Sequence, residues 1–312
     1  MQAVTFSPGQ RNPQPTMPGR WQRLQWQAGS LVLPGTTARA LERLWFTPPH
    51  APLDAASRRF LDAARGSWAL VTGHGASRRV RVYRWGNHGP LVLLAHGWGG
   101  HAGQWHAVAD ALLAAGYRVA AYDALSHGAS DAGARGAAQG SVVEMSHSLL
   151  AAAWHVGPVQ AVVAHSMGGP ATALALREGL PVHATVLVSS PADMPAAFSS
   201  FAWHLGAGPD LVARVRRNSE QWLGLPWSAL NVPDVGRTRP VPRTLVIHDR
   251  DDREVRWEDG AAIAGAWPGA ELVTTSGLGH RRILRDEDVT TRIADFLDRE
   301  VAPVTREAAY AR

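Results

Sequence analysis

Short apolar runs alternating with helical stretches predict an α/β protein built on a mostly parallel, doubly wound sheet. Three observations carry that prediction. Runs such as LVLLAHG (91–97), AVVAHS (161–166) and ATVLVSS (184–190) are apolar almost throughout, as strands covered on both faces must be. The stretches 103–115, 140–155, 169–178 and 257–266 between such runs carry helical patterning. The 312 residues are enough to bury one large core with a modest insertion.

In chain order, residues 1–35 are rich in Pro, Gln and Gly and read as a loose N-terminal arm. Residues 36–77 read as a helical segment, with helices over 36–46 and 54–65 interrupted by Pro48-Pro49. The first strand, RVRVYRW (79–85), alternates polar and apolar residues and suits an antiparallel edge. LVLLAHG, RVAAYDA (118–124), AVVAHS, ATVLVSS, TLVIHD (244–249) and ELVTTSG (271–277) follow. The alternation stops between Pro191 and Pro240, an interval with helical patches, no clear strand, and Trp203, Trp222 and Trp227. It reads as a helical cap over 194–240, inserted into a core of 78–193 and 241–300 and followed by a tail at 301–312. The three tryptophans give the cap apolar surface suited to covering a substrate pocket.

Composition removes several classes of function. The chain has no cysteine, and all 31 of its basic residues other than histidine are arginine. Disulfides, thiolate metal sites, cysteine nucleophiles, lysine Schiff bases and Ser-x-x-Lys hydrolases are therefore excluded. No apolar run approaches the roughly 18 residues of a membrane span. The start, MQAVTFSPGQRNPQP, lacks the basic and apolar regions of a secretory signal, so a cytoplasmic protein is expected. The formal charge is +5 and the arginines are scattered or in short pairs, which gives no reason to expect a nucleic-acid partner. Oligomeric state is not legible.

The richest local signal is VAHSMGGP (163–170), where a serine sits between an apolar strand and a helix-like run. Ala164 and Gly168 lie two residues to either side of Ser166, and a sharp turn brings such positions together, so both must be small. A serine projected from such an elbow is a weak nucleophile until a histidine takes its proton and a carboxylate orients the histidine. Both types follow in order at strand ends: Asp251 and Asp252 after TLVIHD, and His280 after ELVTTSG. The spacings are 252 − 166 = 86 and 280 − 252 = 28, room for the cap in the first interval and for a helix and a strand in the second. Two donors for a developing oxyanion are available at the same end of the sheet: Trp98 N–H in the turn His96-Gly97-Trp98, and Met167 N–H at the start of the helix after the serine.

Rival readings use fewer of these parts. Gly97-x-Gly99-x-x-Ala102, with Asp123 closing the next strand, fits a dinucleotide fingerprint but leaves the serine turn, the aspartate loop and His280 unused. His96, His101 and His106 recur every five residues, which does not stack side chains on one helix face, and Asp249, Asp251 and Asp252 lack the glycine and spacing of a calcium loop. A non-catalytic ligand-binding protein on the same scaffold is the alternative from a different class.

The sequence resembles the α/β-hydrolase family. The resemblance rests on HGWGG (96–100), YDALSHGAS (122–130), AHSMGG (164–169), HDRDDREV (248–255) and GLGH (277–280), in the order Ser, Asp, His, over roughly residues 80–300. It implies the α/β-hydrolase fold and an enzyme that cleaves carboxylic esters through an acyl-enzyme. Ser166, Asp252 and His280 form the implied triad, Trp98 and Met167 the oxyanion hole, and no cofactor or metal is required. Asp252 rather than Asp251 fits the family's D-x-x-V pattern, with Val255 as its apolar residue. The same machinery serves thioesterases, lactonases, amidases and carbon–carbon bond hydrolases, so a small-molecule ester is the first expectation among several acyl substrates. Two positions depart from the pattern: Ala164 replaces the first elbow glycine, and Leu125-Ser126 stand where Pro-Gly is frequent.

Overall fold

The structure is a computed structural model that describes residues 20–301 apart from 51, 74, 75 and 137. Residues 1–19 of the expected arm and 302–312 of the expected tail fall outside them. The chain opens with helices α1 (Arg20–Val32), α2 (Pro34–Trp45) and α3 (Ala55–Asp62), then strands β1 (Arg65–Gly73), β2 (Ala76–Trp85) and β3 (Leu91–Ala95). Helix α4 (His106–Ala114) leads to β4 (Arg118–Tyr122), α5 (Val142–Val156) to β5 (Ala161–His165), and α6 (Gly168–Arg177) to β6 (Ala184–Val188). An excursion through α7 (Met194–Leu205), α8 (Pro209–Leu223), a 3₁₀ turn at Trp227–Leu230 and α9 (Val232–Thr238) precedes β7 (Arg243–Asp249). Then come α10 (Trp257–Ala266), β8 (Glu271–Thr275), the single turn α11 (Gly279–Arg282) and α12 (Glu287–Glu300).

The eight strands form one sheet in the order β1-β2-β4-β3-β5-β6-β7-β8, in which β2 runs antiparallel to β1 and β4 and the remaining pairs are parallel. Strand residues alternate between two apolar layers because side chains alternate across a strand. Leu91, Leu93 and Ala95 of β3, with Val162 and Ala164 of β5, face the layer covered by α5, α6 and α10. Val92 and Leu94, with Ala161 and Val163, face the layer of α3, α4 and α12. Helix starts are fixed by side-chain caps: Asp54 accepts from Ser57 N, Ser141 from Glu144 N, Asp193 from Ala196 N and Asp286 from Val289 N.

The sheet is the mostly parallel, doubly wound one that the sequence predicts, and two assignments at its start are corrected. RVRVYRW is not the edge: β1 pairs along its whole length with β2 and forms the edge in its place, within the segment read as helical. Exposed Trp68 and Leu70 blur the alternation of β1, and only its partner shows it to be a strand. Residues 20–32, read as part of a loose arm, form α1, whose Arg23 lies across the Trp203 ring at 5.6 Å. That contact spans 180 residues and leaves no local mark in composition. Among the described residues, no helix is long and apolar enough to cross a membrane.

Candidate active site

Ser166 directly follows β5, where the chain turns into α6. Its φ of 53° lies in the left-handed region, a conformation that costs a non-glycine residue roughly 1–3 kcal/mol and persists only where surroundings enforce it. Ser166 N–H donates to Val188 O of the neighbouring strand at 2.9 Å, and Ser166 O accepts from Gly169 N at 2.9 Å. A Cβ on Gly97 would sit 2.7 Å from Ser166 Cβ, and one on Gly168 would collide with Ala95 O, so these two positions must lack a side chain. Ala164 is fully buried inside β5, where its methyl belongs to the core.

The other predicted groups converge on this turn. His280 Nδ1 lies 2.8 Å from Asp252 Oδ2, with both residues buried. The second carboxylate oxygen, Oδ1, accepts from Glu254 N at 2.8 Å and Val255 N at 2.9 Å. Burial raises the Asp252 pKa, but the hydrogen bond and charge of His280 and the two backbone donors outweigh it, leaving the carboxyl below its usual range. Val255 is only half-buried and fixes the loop through its backbone rather than by inward packing. Asp251 does different work: its Oδ2 accepts from Gly277 N at 2.8 Å, and Asp249 Oδ2 accepts from Thr275 Oγ1 at 2.7 Å and Leu278 N at 3.1 Å. Two aspartates thus brace the loop that carries His280, and the third meets its ring.

Two further histidines support this arrangement, and sequence reasoning missed both. His165, the residue before the serine, donates from Nε2 to His280 O at 2.8 Å, and the two rings stand 4.7 Å apart. That fixes its neutral tautomer, with Nδ1 left as acceptor 3.5 Å from Gln104 Nε2. Burial, then the neighbouring His280, pushes its pKa down to about 3. His248, fully buried on β7, donates to Val255 O at 3.1 Å, and its Nε2 lies 3.6 Å from Asp252 Oδ2. On His280 the outer nitrogen, Nε2, is 3.9 Å from Glu254 Oε2, a carboxylate held by Arg281. Among the described residues no hydrogen bond joins Ser166 Oγ to His280, and such contacts commonly tighten only when substrate binds.

Trp98 and Met167 follow Gly97 and Ser166 respectively, and among the described residues neither backbone N–H is taken by a carbonyl. Both side chains line an apolar cavity of about 240 Å³ that includes no charged residue. Its other walls are Trp45 and Phe46 at the end of α2, Met194 and Phe201 of α7, and Trp227. The tryptophans expected to form it separate into three roles. Trp227 lines the cavity and is 1% exposed, with Nε1 donating to Ser219 Oγ at 2.8 Å. Trp222 packs behind Phe46, donates to Glu42 Oε1 at 3.0 Å and carries Arg135 on its ring at 4.5 Å, which locks α8 to α2. Trp203 is 62% exposed and stands outside the cavity. The contribution of α2 was not anticipated, because nothing in residues 34–49 marks what they fold against.

The residues behind the rival readings are occupied elsewhere. Asp123, 2% exposed, accepts from Ala102 N at 2.7 Å and Ala129 N at 2.9 Å, so its carboxylate is turned inward and cannot hold a ribose. His96 lies 2.7 Å from Gly97 O through Nδ1 and accepts from Ala124 N at 2.9 Å. Burial pushes its pKa down to about 4. Ser126, at the Pro-Gly position, takes a φ of 62°, and its hydroxyl offsets that strain by donating to Gln139 O at 2.6 Å and accepting from Gly133 N at 2.9 Å.

The model of the alpha/beta hydrolase family matches residues 92–293. No curated protein matches the sequence at a significant level. Among solved structures, a thermophilic esterase from Thermogutta terrifontis aligns with a TM-score of 0.58 at 20% identity, over 76% of this chain and 100% of its own. An esterase from Pyrococcus furiosus aligns at 0.58 and 20% identity over 82% and 98%. A bromoperoxidase from Bacillus anthracis aligns at 0.55 and 17% over 74% and 99%, so likeness at this level establishes the fold and not the reaction. The family match covers well over half of the sequence and contains the serine turn, the aspartate loop and His280: the chain belongs to the α/β-hydrolase family.

Proposed function

We propose that this hydrolase cleaves carboxylic esters of apolar acyl groups through an acyl-enzyme. Ser166 attacks the acyl carbon, His280 takes the proton and returns it to the leaving alcohol, and water releases the acid by the reverse sequence. Asp252 holds His280 in the tautomer whose Nε2 is free to act as base, and the N–H groups of Trp98 and Met167 stabilise the oxyanion. The observation that carries this reading is the pairing of a strained serine with a buried His280–Asp252 couple of 2.8 Å, tied to one another through His165. The uncharged cavity beside Met167 supports an apolar acyl group as the portion recognised.

Labelling with a fluorophosphonate tests the reading directly, because only an activated serine reacts. The expected result is one label on the wild type, located at Ser166, and none on Ser166→Ala. A folded protein that takes no label overturns the proposal in favour of a binding protein on a hydrolase scaffold. A panel of p-nitrophenyl esters with thioester and amide analogues then ranks the acyl classes, with oxygen esters of apolar acids expected to lead.

A further inference from the structure

At the end of the sheet away from Ser166, strand register places three arginines together. Arg65 of β1 pairs directly with Arg84 of β2, and Arg84 pairs with Ala120 of β4. Arg118 lies two residues before Ala120 and so on the same face. Like charges directly opposite one another across strands are destabilising, so this corner works against the fold unless something offsets it. Among the described residues none of the three makes an ion pair. They line a cavity of about 210 Å³ with Asn87, Trp85 and Leu91.

Two of the guanidiniums are held by hydrogen bonds rather than neutralised. Arg65 donates to Gly86 O at 2.8 Å and to Asn87 Oδ1 at 2.6 Å, and Arg118 Nε donates to Gly89 O at 2.8 Å. Arg84 Nε is closed from solvent and, among the described residues, has no acceptor. Val156, at the C-terminal end of α5, lines the same cavity, and a helix end contributes about half a negative charge against three positive ones. Some 13 Å of strand separates Leu91 from Ala95, so the cavity is remote from the serine turn.

We propose that this corner binds a phosphate group, carried by inorganic phosphate or by a small phosphorylated molecule. Forked guanidinium donors fit both phosphate and carboxylate, but the excess charge here matches a dianion and leaves a monoanionic carboxylate over-compensated. Thermal unfolding and calorimetric titration with inorganic phosphate, acetate and chloride at matched ionic strength test it. Phosphate should raise the melting temperature saturably, acetate should bind at least tenfold more weakly, and chloride should do nothing. Arg84→Gln should raise the apparent Kd for phosphate at least tenfold while leaving hydrolysis of a short ester unchanged. Equal protection by chloride reduces the corner to unspecific screening and overturns the proposal, as does acetate equal to phosphate or an unaltered phosphate response in Arg84→Gln. Should that variant fail to fold, Arg118→Lys, which keeps charge but loses the fork, must show the same weakening, and retained affinity overturns the proposal equally.

Discussion

The lower wall of the site, the residues that carry Ser166, Asp252 and His280, and the upper wall, the aromatic lining of the 240 Å³ cavity beside Met167, are held together differently. Below, each group sits at a strand end and is positioned by backbone: Ser166 between Val188 O and Gly169 N, Asp252 by two N–H groups, the His280 loop by Asp249, Asp251 and His165. Above, the wall is a set of interlocking rings from distant stretches. Trp45 of α2 lies 5.1 Å from Phe198, 5.2 Å from Phe201 and 6.2 Å from Trp227. Backbone hydrogen bonds are directional and tolerate little displacement, whereas ring packing fills space in many equivalent ways. Under the proposed ester cleavage, the lower wall is therefore suited to chemistry that needs atoms in place, and the upper wall to setting which acyl groups fit.

This contrast is broken most sharply by Ser166→Ala. If the lower wall performs the chemistry, turnover of a simple ester should fall by several orders of magnitude, on the order of 10⁶ where the triad acts as one unit. The fold should survive, since the substitution removes only a hydroxyl. Near wild-type turnover in the purified variant would sink the proposed mechanism.

Next in size are the adjacent aspartates. Asp252→Asn presents an amide to His280 Nδ1 and favours the wrong tautomer, so turnover should fall by as much as about 10⁴ with the fold intact. Asp251→Asn retains an oxygen to accept from Gly277 N and should cost less than about tenfold. Steady-state rates of the two variants check this, and the opposite ranking would move the role to Asp251.

The same contrast explains what the sequence could tell. The lower wall was legible at Ser166, Asp252 and His280, each of which carries a local mark: small residues two positions to either side of Ser166, an aspartate loop after TLVIHD, His280 just after ELVTTSG. Such marks arise because a tight turn or close backbone approach restricts residue type at that very position. The upper wall was not legible, because Trp45 and Trp227 find each other only in three dimensions and apolar residues at helical spacing look alike whatever they cover. Trp203 and Trp222, equally aromatic and in the same insertion, ended outside the cavity for this reason. His165 falls between the cases: its position beside Ser166 was plain, but its bond to His280 O joins residues 115 apart.

Acid tests the buried histidines around the serine turn. Burial pushes the pKa of His96 down to about 4, and those of His127 and His165 down to about 3, all below the unfolded value near 6.5. The unfolded chain then binds protons that the folded one refuses. The stability these groups contribute is complete above about pH 6.5 and is lost as pH falls toward their folded values, by up to roughly 1.4 kcal/mol per pH unit for each. Asp252, with its lowered pKa, adds a loss only once pH falls to the usual carboxylate range, so it does not contribute between pH 7 and pH 5. Urea midpoints measured from pH 7 to pH 5 should fall steeply, and a flat profile would contradict burial of these imidazoles as neutral groups.

The smallest effect, and the finest test of the upper wall, compares two residues on one helix. Phe201 and Trp203 both belong to α7, two positions apart, and α-helix geometry turns such neighbours about 200° from each other. Phe201 lines the cavity against Trp45, while Trp203 faces outward over Arg23 and His204. Removing the Phe201 ring enlarges the space above Met167 without touching any group held by backbone below. Phe201→Ala should therefore raise kcat/KM for long acyl esters relative to short ones by about tenfold, about 1.4 kcal/mol of differential binding, with turnover of the shortest ester little changed. Trp203→Ala should shift the ratio less than about twofold, because an exposed ring can alter the cavity only through the helix that carries it. An equal shift from both variants would mean that α7 moves as a body when substrate binds, and that the upper wall selects by position rather than by the side chains that line it.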